Sequence, residues 1–482
     1  MLEDIIKERR KKLEALNKEG INPYPAETKR TILAEKALAD FDNFEKEEKK
    51  FFLAGRIRGL RDQGKIAFID IEDKSGRIQA VVKSDQFADF DKIVPNLDIG
   101  DFVEISGSLF KTNKGHKSIK VESLKVLVKS LRPLPDDYYG LEDEEIKLRK
   151  RYLDILLDPK VKDIFIKKSI FWKAIRKFLD KEKFLEVETP VLEAIPGGAE
   201  AEPFITHHNA LNEDFYLRIS LEIALKKILV SGYEKIYEIG RIFRNEGIDS
   251  EHLQDYTQLE FYWAYADYND LMKMVEKMYK SVIKETFGTL EFERNGEKIN
   301  WKDKWKKVDY FEIFKEYSGL DLKKCSEKDL IEKAKELKIE DSENLGKGRL
   351  IDLIFKKTAR AKLIKPCFLI NPPIEIEPLA KRYRKDKNRV ERFQVVAYGI
   401  ELGKGFSEAN DPIDQRERFE EQEKLRGRGD KEAQRLDEDF LEALEYGMPP
   451  AAGFGFSERL FSVLAGRPIR ECVFFPAMRR KK

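Results

Sequence analysis

The chain has 482 residues, 41% apolar and 38% charged, with 92 lysines and arginines against 90 aspartates and glutamates, a net charge of +2. That length holds two or three domains with sizeable cores, and the charge balance excludes a uniformly polybasic nucleic-acid binder while leaving room for local basic patches. No apolar run is long enough to span a bilayer, the N-terminus lacks the apolar centre of a signal peptide, and Cys325, Cys367 and Cys472 stand singly, without disulfide or metal-ligand spacing; the expectation is a reduced, cytoplasmic protein without membrane attachment.

Residues 1 to about 20 form a charged helical pattern with a thin stripe, Leu2, Ile5, Ile6, Leu13 and Leu16, stopped by Gly20 and Asn22-Pro23. Two uses are open: contact with RNA backbone, or packing on the next domain. From Phe51 to about Val128 five runs alternate with period two: FFLAGRIRGLR, KIAFIDIED, GRIQAVVKS, DFVEISGSLFKT and HKSIKVESLKVLV. A helix is expected at about Asp85 to Ile93. Five strands with a helix after the third is the layout of an OB barrel, which often binds single-stranded nucleic acid. Phe68 offers a ring for stacking, Gln79 an amide for base edges, and Arg56, Arg58 and Arg61 cations for phosphates. Each alone reads equally as ordinary surface or core; together they favour RNA. Leu131 to Asp158 reads as a connector, prolines first and then a charged helix.

Beyond it, VKDIFIKKSIFWKAIRKFLDKEKF is a long amphipathic helix with Ile164, Ile170, Phe171, Ile175, Phe178 and Leu179 near one face, followed by a strand LEVETPVL. Gly197-Gly198 lets backbone approach a ligand closely. His207-His208 lacks an acid or cysteine at ligand spacing. Tyr237 to Tyr265 predicts a hairpin around a polar loop. In its second strand Thr257, Leu259, Phe261 and Trp263 point one way, and Tyr256, Gln258, Glu260 and Tyr262 the other. Buried polar groups need partners, so the second face predicts the floor of a polar pocket. Arg244 would sit near it with a donor fork suited to carboxylate or phosphate. A surface hairpin with a salt bridge is the plainer alternative. Ser326 to Leu363 is charged and helical and carries no assigned chemistry. RFQVVAYGIELGKGFSEAN predicts a second hairpin, and GFGFSERL a Gly-rich strand running into a helix.

FRNEG, followed by a histidine and a returning strand, closely resembles motif 2 of class II aminoacyl-tRNA synthetases, in its lysyl form. The long helix and strand ending at Pro190 resemble motif 1, the dimer interface, and the Gly-rich strand with Arg459 and FFPAMR resembles motif 3. The barrel and the RYLD run of the connector are similar to those of lysyl-, aspartyl- and asparaginyl-tRNA synthetases. The resemblance covers nearly the whole chain, in order. It implies an α+β protein: an N-terminal helical segment (1–50), a five-stranded OB anticodon-binding domain (51–132), a hinge (133–157) and a class II catalytic domain (158–482), an antiparallel sheet flanked by helices with a helical insertion at about 325–365.

The resemblance also implies roles. Arg244 and Arg459 are the catalytic arginines. Arg244, Glu246, His252, Tyr256, Glu401 and Arg459 bind ATP. Gly198, Glu222, Arg244, Glu260, Tyr262, Lys404, Phe406 and Glu408 hold L-lysine, with Glu408 facing its side-chain ammonium. Glu401, Glu408 and Gln394 form the Mg²⁺ set, and Phe68, Gln79 and Arg61 read the anticodon of tRNA(Lys). A homodimer is expected. Four positions depart from the family pattern: Gln394 stands for a glutamate, Lys404 for an asparagine, Tyr256 for a phenylalanine and Leu253 for an asparagine. Motif 3 is also one residue short. An aspartyl or asparaginyl enzyme is disfavoured by the acidic pair Glu260 and Glu408. A synthetase-like RNA-binding or regulatory protein, or an enzyme lysylating a protein, are the remaining alternatives.

Overall fold

The computed structural model describes residues 2–135, 141–247, 252–294, 296–343, 345–427 and 433–480. Part of the expected hinge, 136–140, and the tip of the motif 2 loop, 248–251, lie outside the described residues. The chain divides into two compact units, Met1–Glu142 and Asp143–Lys482.

In the first unit, β1 (Phe51–Asp62), β2 (Ile66–Glu72), β3 (Arg77–Lys83), β4 (Phe102–Lys111) and β5 (Lys117–Val128) close a barrel in the order β1-β2-β3-β5-β4. Alternation sets its interior: Ala67, Ile69 and Ile71 of β2 meet Ile78, Ala80 and Val82 of β3 inside. Gly107 is required where β4 crosses β5, because a Cβ there would lie 1.9 Å from the Lys120 carbonyl oxygen. The helix expected before β4 is shorter, Phe90–Ile93, and tightens into a 3₁₀ turn at Pro95, which supplies no N–H to continue it.

The N-terminal helix α1 (Leu2–Lys18) belongs to this unit and packs on the barrel. Its expected stripe is only partly used: Leu16 is buried, whereas Leu2 and Ile5 are exposed. Arg9 is buried instead, donating to the carbonyls of Ser130 (3.0 Å), Arg132 (3.2 Å) and Ile99 (3.0 Å). A guanidinium can satisfy several carbonyls at once, and hydropathy patterning does not register that.

In the second unit an eight-stranded sheet carries the site. Its strands are β6 (Leu185–Glu186), β7 (Lys235–Phe243), β8 (Asp255–Ala264), β9 (Lys306–Asp309), β10 (Cys367–Ile370), β11 (Arg392–Ala397), β12 (Ile400–Ser407) and β13 (Ala451–Ser457). The order is β9-β10-β11-β12-β13-β8-β7-β6. Neighbours are antiparallel except at the two ends, where β6 with β7 and β9 with β10 are parallel. The expected LEVETPVL strand shortens to β6. Thr189 turns its N–H and hydroxyl to Glu238 Oε2 (3.0 and 2.7 Å), and Pro190 has no N–H for a ladder.

Helices α2 (Pro159–Lys181) and α3 (Tyr268–Phe287) pack on one sheet face. Phe171, Ile175, Phe178, Val275, Met278 and Tyr279 meet Leu259, Phe261, Phe393, Phe454 and Phe456 there. Ile170 is the exception in α2: it is exposed, as is Ile166. One sheet face is thereby filled with hydrocarbon, and the polar alternates of β8 are left on the other.

Lys129 is fully buried just after β5, its Nζ 2.8 Å from the fully buried Asp101. Removing one member of a buried pair strands the other charge, at a cost of about 3–5 kcal/mol. Lys129→Ala is therefore expected to strip hydrogen-exchange protection from the barrel amides of the full chain by that amount; unchanged protection would refute the pairing as a stabilising one.

Candidate functional site

A cavity of about 540 Å³ opens over the polar face of the sheet. Arg244, Glu246, His252, Tyr256, Gln258, Glu260, Tyr262, Gln394, Glu401, Lys404, Phe406 and Arg459 all line it, together with Gly198 and Glu222 from the preceding loop and helix. Chain segments more than 200 residues apart thus meet in one cleft, as Gly198 and Arg459 do.

The register explains the floor. Gln394 is opposite Lys404, Lys404 opposite Gly455, Gly455 opposite Glu260, and Glu260 opposite Glu238. One rung across five strands therefore carries an amide, a cation, a glycine and two acids in that order, with the glycine in the middle. The next rung runs Arg392, Phe406, Gly453, Tyr262. A Cβ on Gly453 would lie 2.4 Å from the Tyr262 ring and 2.5 Å from Glu408 Oε1. The motif 3 glycines thus make room for the side chains of β8. The shortened motif keeps this register: Ser457 is opposite Gln258, and Arg459 opens a short helix over Arg459–Leu464. Gly198 has φ +81°, and a Cβ there would come within 2.8 Å of Glu222 Cβ.

Glu260 is buried and held by neutral donors: Ser220 Oγ (2.7 Å), Leu221 N (3.1 Å) and Gln258 Nε2 (2.5 Å) on Oε1, and Tyr262 Oη (2.9 Å) on Oε2. Burial, with Glu260 next, holds the Tyr262 hydroxyl far above its usual pKa, so it donates. Arg244 is anchored by Nε to the Ile219 carbonyl (3.2 Å), with its guanidinium 5.8 Å from the Tyr256 ring centre.

Three expected residues are placed differently. Glu408 does not line the cavity; it lies behind Gly453, fully buried, 2.5 Å from Lys226 Nζ. A buried carboxylate needs a countercharge, and the chain supplies one. Glu408 cannot share a metal with Glu401 either, because seven residues of nearly extended chain put them roughly 20 Å apart. Gln394 donates to Glu401 Oε2 at 2.6 Å. Among the described residues no cluster of three or more His, Cys, Asp or Glu is arranged for a metal. Lys404 lines the cavity but is bound to Glu377 Oε2 at 3.0 Å, an acid that also meets Arg392 at 3.4 Å.

Other lining residues have no counterpart in the sequence reading. Gly348, Arg349, Asp352, Leu353, Lys356 and Arg360 reach the cavity from the insertion, on or just after a helix over Lys347–Thr358. Its opposite face, Leu350, Ile351, Ile354 and Phe355, is buried. Arg349, Asp352, Lys356 and Arg360 at spacings of three and four were a legible polar face, without a sign of what it overlooked. In the barrel, Phe68 and Gln79 share the outer face, with Arg61 opposite Phe68 and its guanidinium 5.8 Å from that ring. Gln79 accepts from Ser118 Oγ (3.0 Å). Arg56 is folded over Phe102 (4.3 Å) and Arg58 is buried beside Glu72 (3.7 Å), so of the three arginines Arg61 is the exposed one.

Residues 143–479 match the family described as tRNA synthetases class II (D, K and N), and residues 51–127 match the OB-fold nucleic acid binding domain. The chain belongs to the class II tRNA synthetases. It is 44% identical to the lysine–tRNA ligase of Carboxydothermus hydrogenoformans over 485 residues, covering 99% of this chain and 98% of that one. It is also 44% identical to that of Thermoanaerobacter pseudethanolicus, covering 100% and 97%. For the Bacillus subtilis ligase the identity is 41%, covering 100% and 98%. The synthetase therefore has an OB barrel joined to a class II catalytic domain, and the likeness is full length. No described helix is long and apolar enough to cross a membrane.

Beneath the floor, Arg218 braces Glu238 (2.7 Å) and the Thr189 carbonyl (3.0 Å). Glu193 lies near this brace, and burial pushes its carboxyl up to about 8, with Arg218 opposing. Its folded pKa exceeds the unfolded one, so the native state holds a proton that the unfolded chain releases. The stability from this group is full below about pH 4 and lost as pH rises through about 8. Glu193→Gln should remove that loss, so the variant's Tm gains on the native Tm between pH 5 and 8. Parallel Tm curves would discard the shift.

Proposed function

We propose that the protein is a lysine–tRNA ligase that activates L-lysine with ATP and transfers it to the 3′ end of tRNA(Lys). The observation that carries this reading is Glu260: a buried carboxylate on the cavity floor, held only by neutral hydrogen-bond donors, in a chain matched end to end by ligases of that name. Such a carboxylate suits an alkyl-ammonium guest and repels the acidic side chain of aspartate.

A lysine carboxylate oxygen attacks the α-phosphorus of ATP. The new O–P bond forms as the bond to pyrophosphate breaks, giving lysyl-adenylate. A hydroxyl of the terminal adenosine then attacks the acyl carbon, and AMP leaves. The substrates supply the nucleophiles, so the chain contributes position and charge. Arg244 spans the lysine carboxylate and the α-phosphate and neutralises both. Arg459 takes the γ-phosphate. Glu246 and His252 hold the nucleotide, and Tyr256 gives a ring for adenine. Gly198 and Glu222 receive the α-ammonium, and Glu260 with Tyr262 the side-chain ammonium, beside Phe406. The barrel reads the anticodon through Phe68 and Gln79, with Arg61 beside them. We further propose a cytoplasmic homodimer. This unit exposes Ile166 and Ile170 on α2 and, elsewhere in its chain, Leu185, Leu192, Phe474 and Phe475, large apolar side chains of the kind an interface covers.

Mg²⁺ with ATP is part of the same reading. The residues fit an ion held by one carboxylate, Glu401, together with substrate phosphates, a common mode for this metal. It would neutralise phosphate charge there. Gln394 keeps a donor on that carboxylate and weakens the position.

Lysine-dependent ATP–pyrophosphate exchange, run beside ornithine and aspartate, tests the function: lysine should lead, ornithine follow and aspartate fail. Aspartate-driven exchange, or none, would overturn it. Gln394→Glu should lower the Mg²⁺ concentration for half-maximal exchange; superimposable titrations would remove the role given to Gln394.

A further inference from the structure

Lys226 was not singled out by its sequence pattern, yet it is the most enclosed cation at the cleft. It sits on the helix over Glu222–Val230 and is fully buried. Its Nζ lies 2.6 Å from Glu222 Oε1 and 2.5 Å from Glu408 Oε2. The rings of Phe406 and Phe440 lie at 5.3 and 5.9 Å and shut out water. One ammonium thus joins the two acids that the family resemblance assigns to opposite ends of the substrate.

We propose that Lys226 is a positioning residue that fixes the charge of the amino-acid subsite, cancelling one of three buried carboxylates so that two remain for the two ammonium groups of lysine. The three acids are Glu222, Glu260 and Glu408. Among the described residues Glu260 has only neutral donors, so Lys226 is the cation bonded within this set of three. The other charged or titratable groups facing this cluster are Tyr262 on β8, Lys404 on β12 and Glu377 ahead of β11. Lys404 pairs with Glu377, which also meets Arg392; that group lies beside the three acids and is counted apart from them. The substrate carboxylate is met separately by Arg244. With bound lysine favouring the ionised form of all three acids, Lys226 leaves two uncancelled negative charges for two positive ones; without it, three are left.

Burial drives both Glu222 and Glu408 toward protonation, and Lys226 opposes that in each. Burial would also discharge Lys226, but Glu222 and Glu408 keep its ammonium. Glu222 also raises the Glu408 carboxyl, and in the free protein both carboxyls stay above their usual range; Lys226 is the cation that draws both toward ionisation and pins them to a common point between the helix and the end of β12.

This inference rests on the lysine–tRNA ligase reading. The native chain is assayed first for lysine-dependent pyrophosphate exchange, and its failure there would overturn that reading and this one together. Given native activity, Lys226→Met keeps the volume and removes the charge. It should raise the lysine KM at least about tenfold, because Glu222 and Glu408, left side by side without their cation, share a proton and Glu222 no longer meets the α-ammonium as a fixed carboxylate, with the ATP KM within about twofold. Glu408→Gln should weaken lysine as well, by removing one charge too many. The double variant Lys226→Met/Glu408→Gln restores two uncancelled acids, so its lysine KM should fall below that of Lys226→Met. A double variant no better than Lys226→Met would overturn the proposal, because a residue needed only for packing gives losses that add. So would equal rises of the lysine and ATP KM in Lys226→Met. If Lys226→Met alone fails to fold while the double variant folds and takes lysine, the charge count stands. If neither folds, Lys226 serves packing and the proposal falls.

Discussion

The catalytic unit depends on one constraint: a carboxylate withdrawn from water must be answered by a donor or a cation. The polar face of the eight-stranded sheet holds several such groups within a few rungs, and each is answered differently. Glu238 has Arg218, and Glu377 has Lys404 and Arg392. Glu408 and Glu222 share Lys226. Glu260 receives only hydroxyl, amide and backbone donors. That difference in partner makes Glu260 the place where an incoming cation gains most.

The sheet can support this arrangement because its other face is filled with hydrocarbon. Leu259, Phe261, Phe454 and Phe456 point into an aromatic core with Phe171, Tyr279 and Phe393. Interdigitated rings of this kind resist displacement, and the strands they fix set the register of the polar face. Glycines at 453 and 455 then leave the volume that Tyr262 and Glu260 fill. Large residues on one face and none on the other of β13 do opposite jobs for one rung.

Much of this was legible from residue order. The period-two split of β8 separated cavity floor from core, because a strand must alternate. The five barrel strands were legible for the same reason, with turn residues marking their ends. What escaped the reading was pairing in three dimensions. Glu408 read as a free acid awaiting a guest, since nothing in its own strand reveals that Lys226, on another element, reaches it. Lys404 read as a partner for substrate, while Glu377 already held it. The hydrophobic stripe of α1 misled because Arg9 found three carbonyls. The insertion helix carried its polar row openly, but a row does not state what it overlooks. Local pattern gives the direction in which a side chain points; only the assembled sheet gives what it meets.

Discrimination by such a subsite is uneven, and the unevenness follows from its chemistry. On the proposed reading, a methionine in place of lysine would leave Glu260 without its guest ion, and a buried charge would then go unmet. The site rejects it strongly, as sites built around a polar contact do when that contact is missing. Ornithine keeps both ammonium groups and lacks one methylene, a difference worth only about 1–3 kcal/mol in a pocket. On the proposed reading the shorter chain must still bring its ammonium to Glu260 and Tyr262 while its carboxylate stays at Arg244, so the loss would appear as a stretch between fixed points. Rigidity of the floor is then what selects. On that reading an aromatic core that holds β8 and β13 in register would contribute to specificity without touching the substrate, and loosening it would let the shorter amino acid reach both ends.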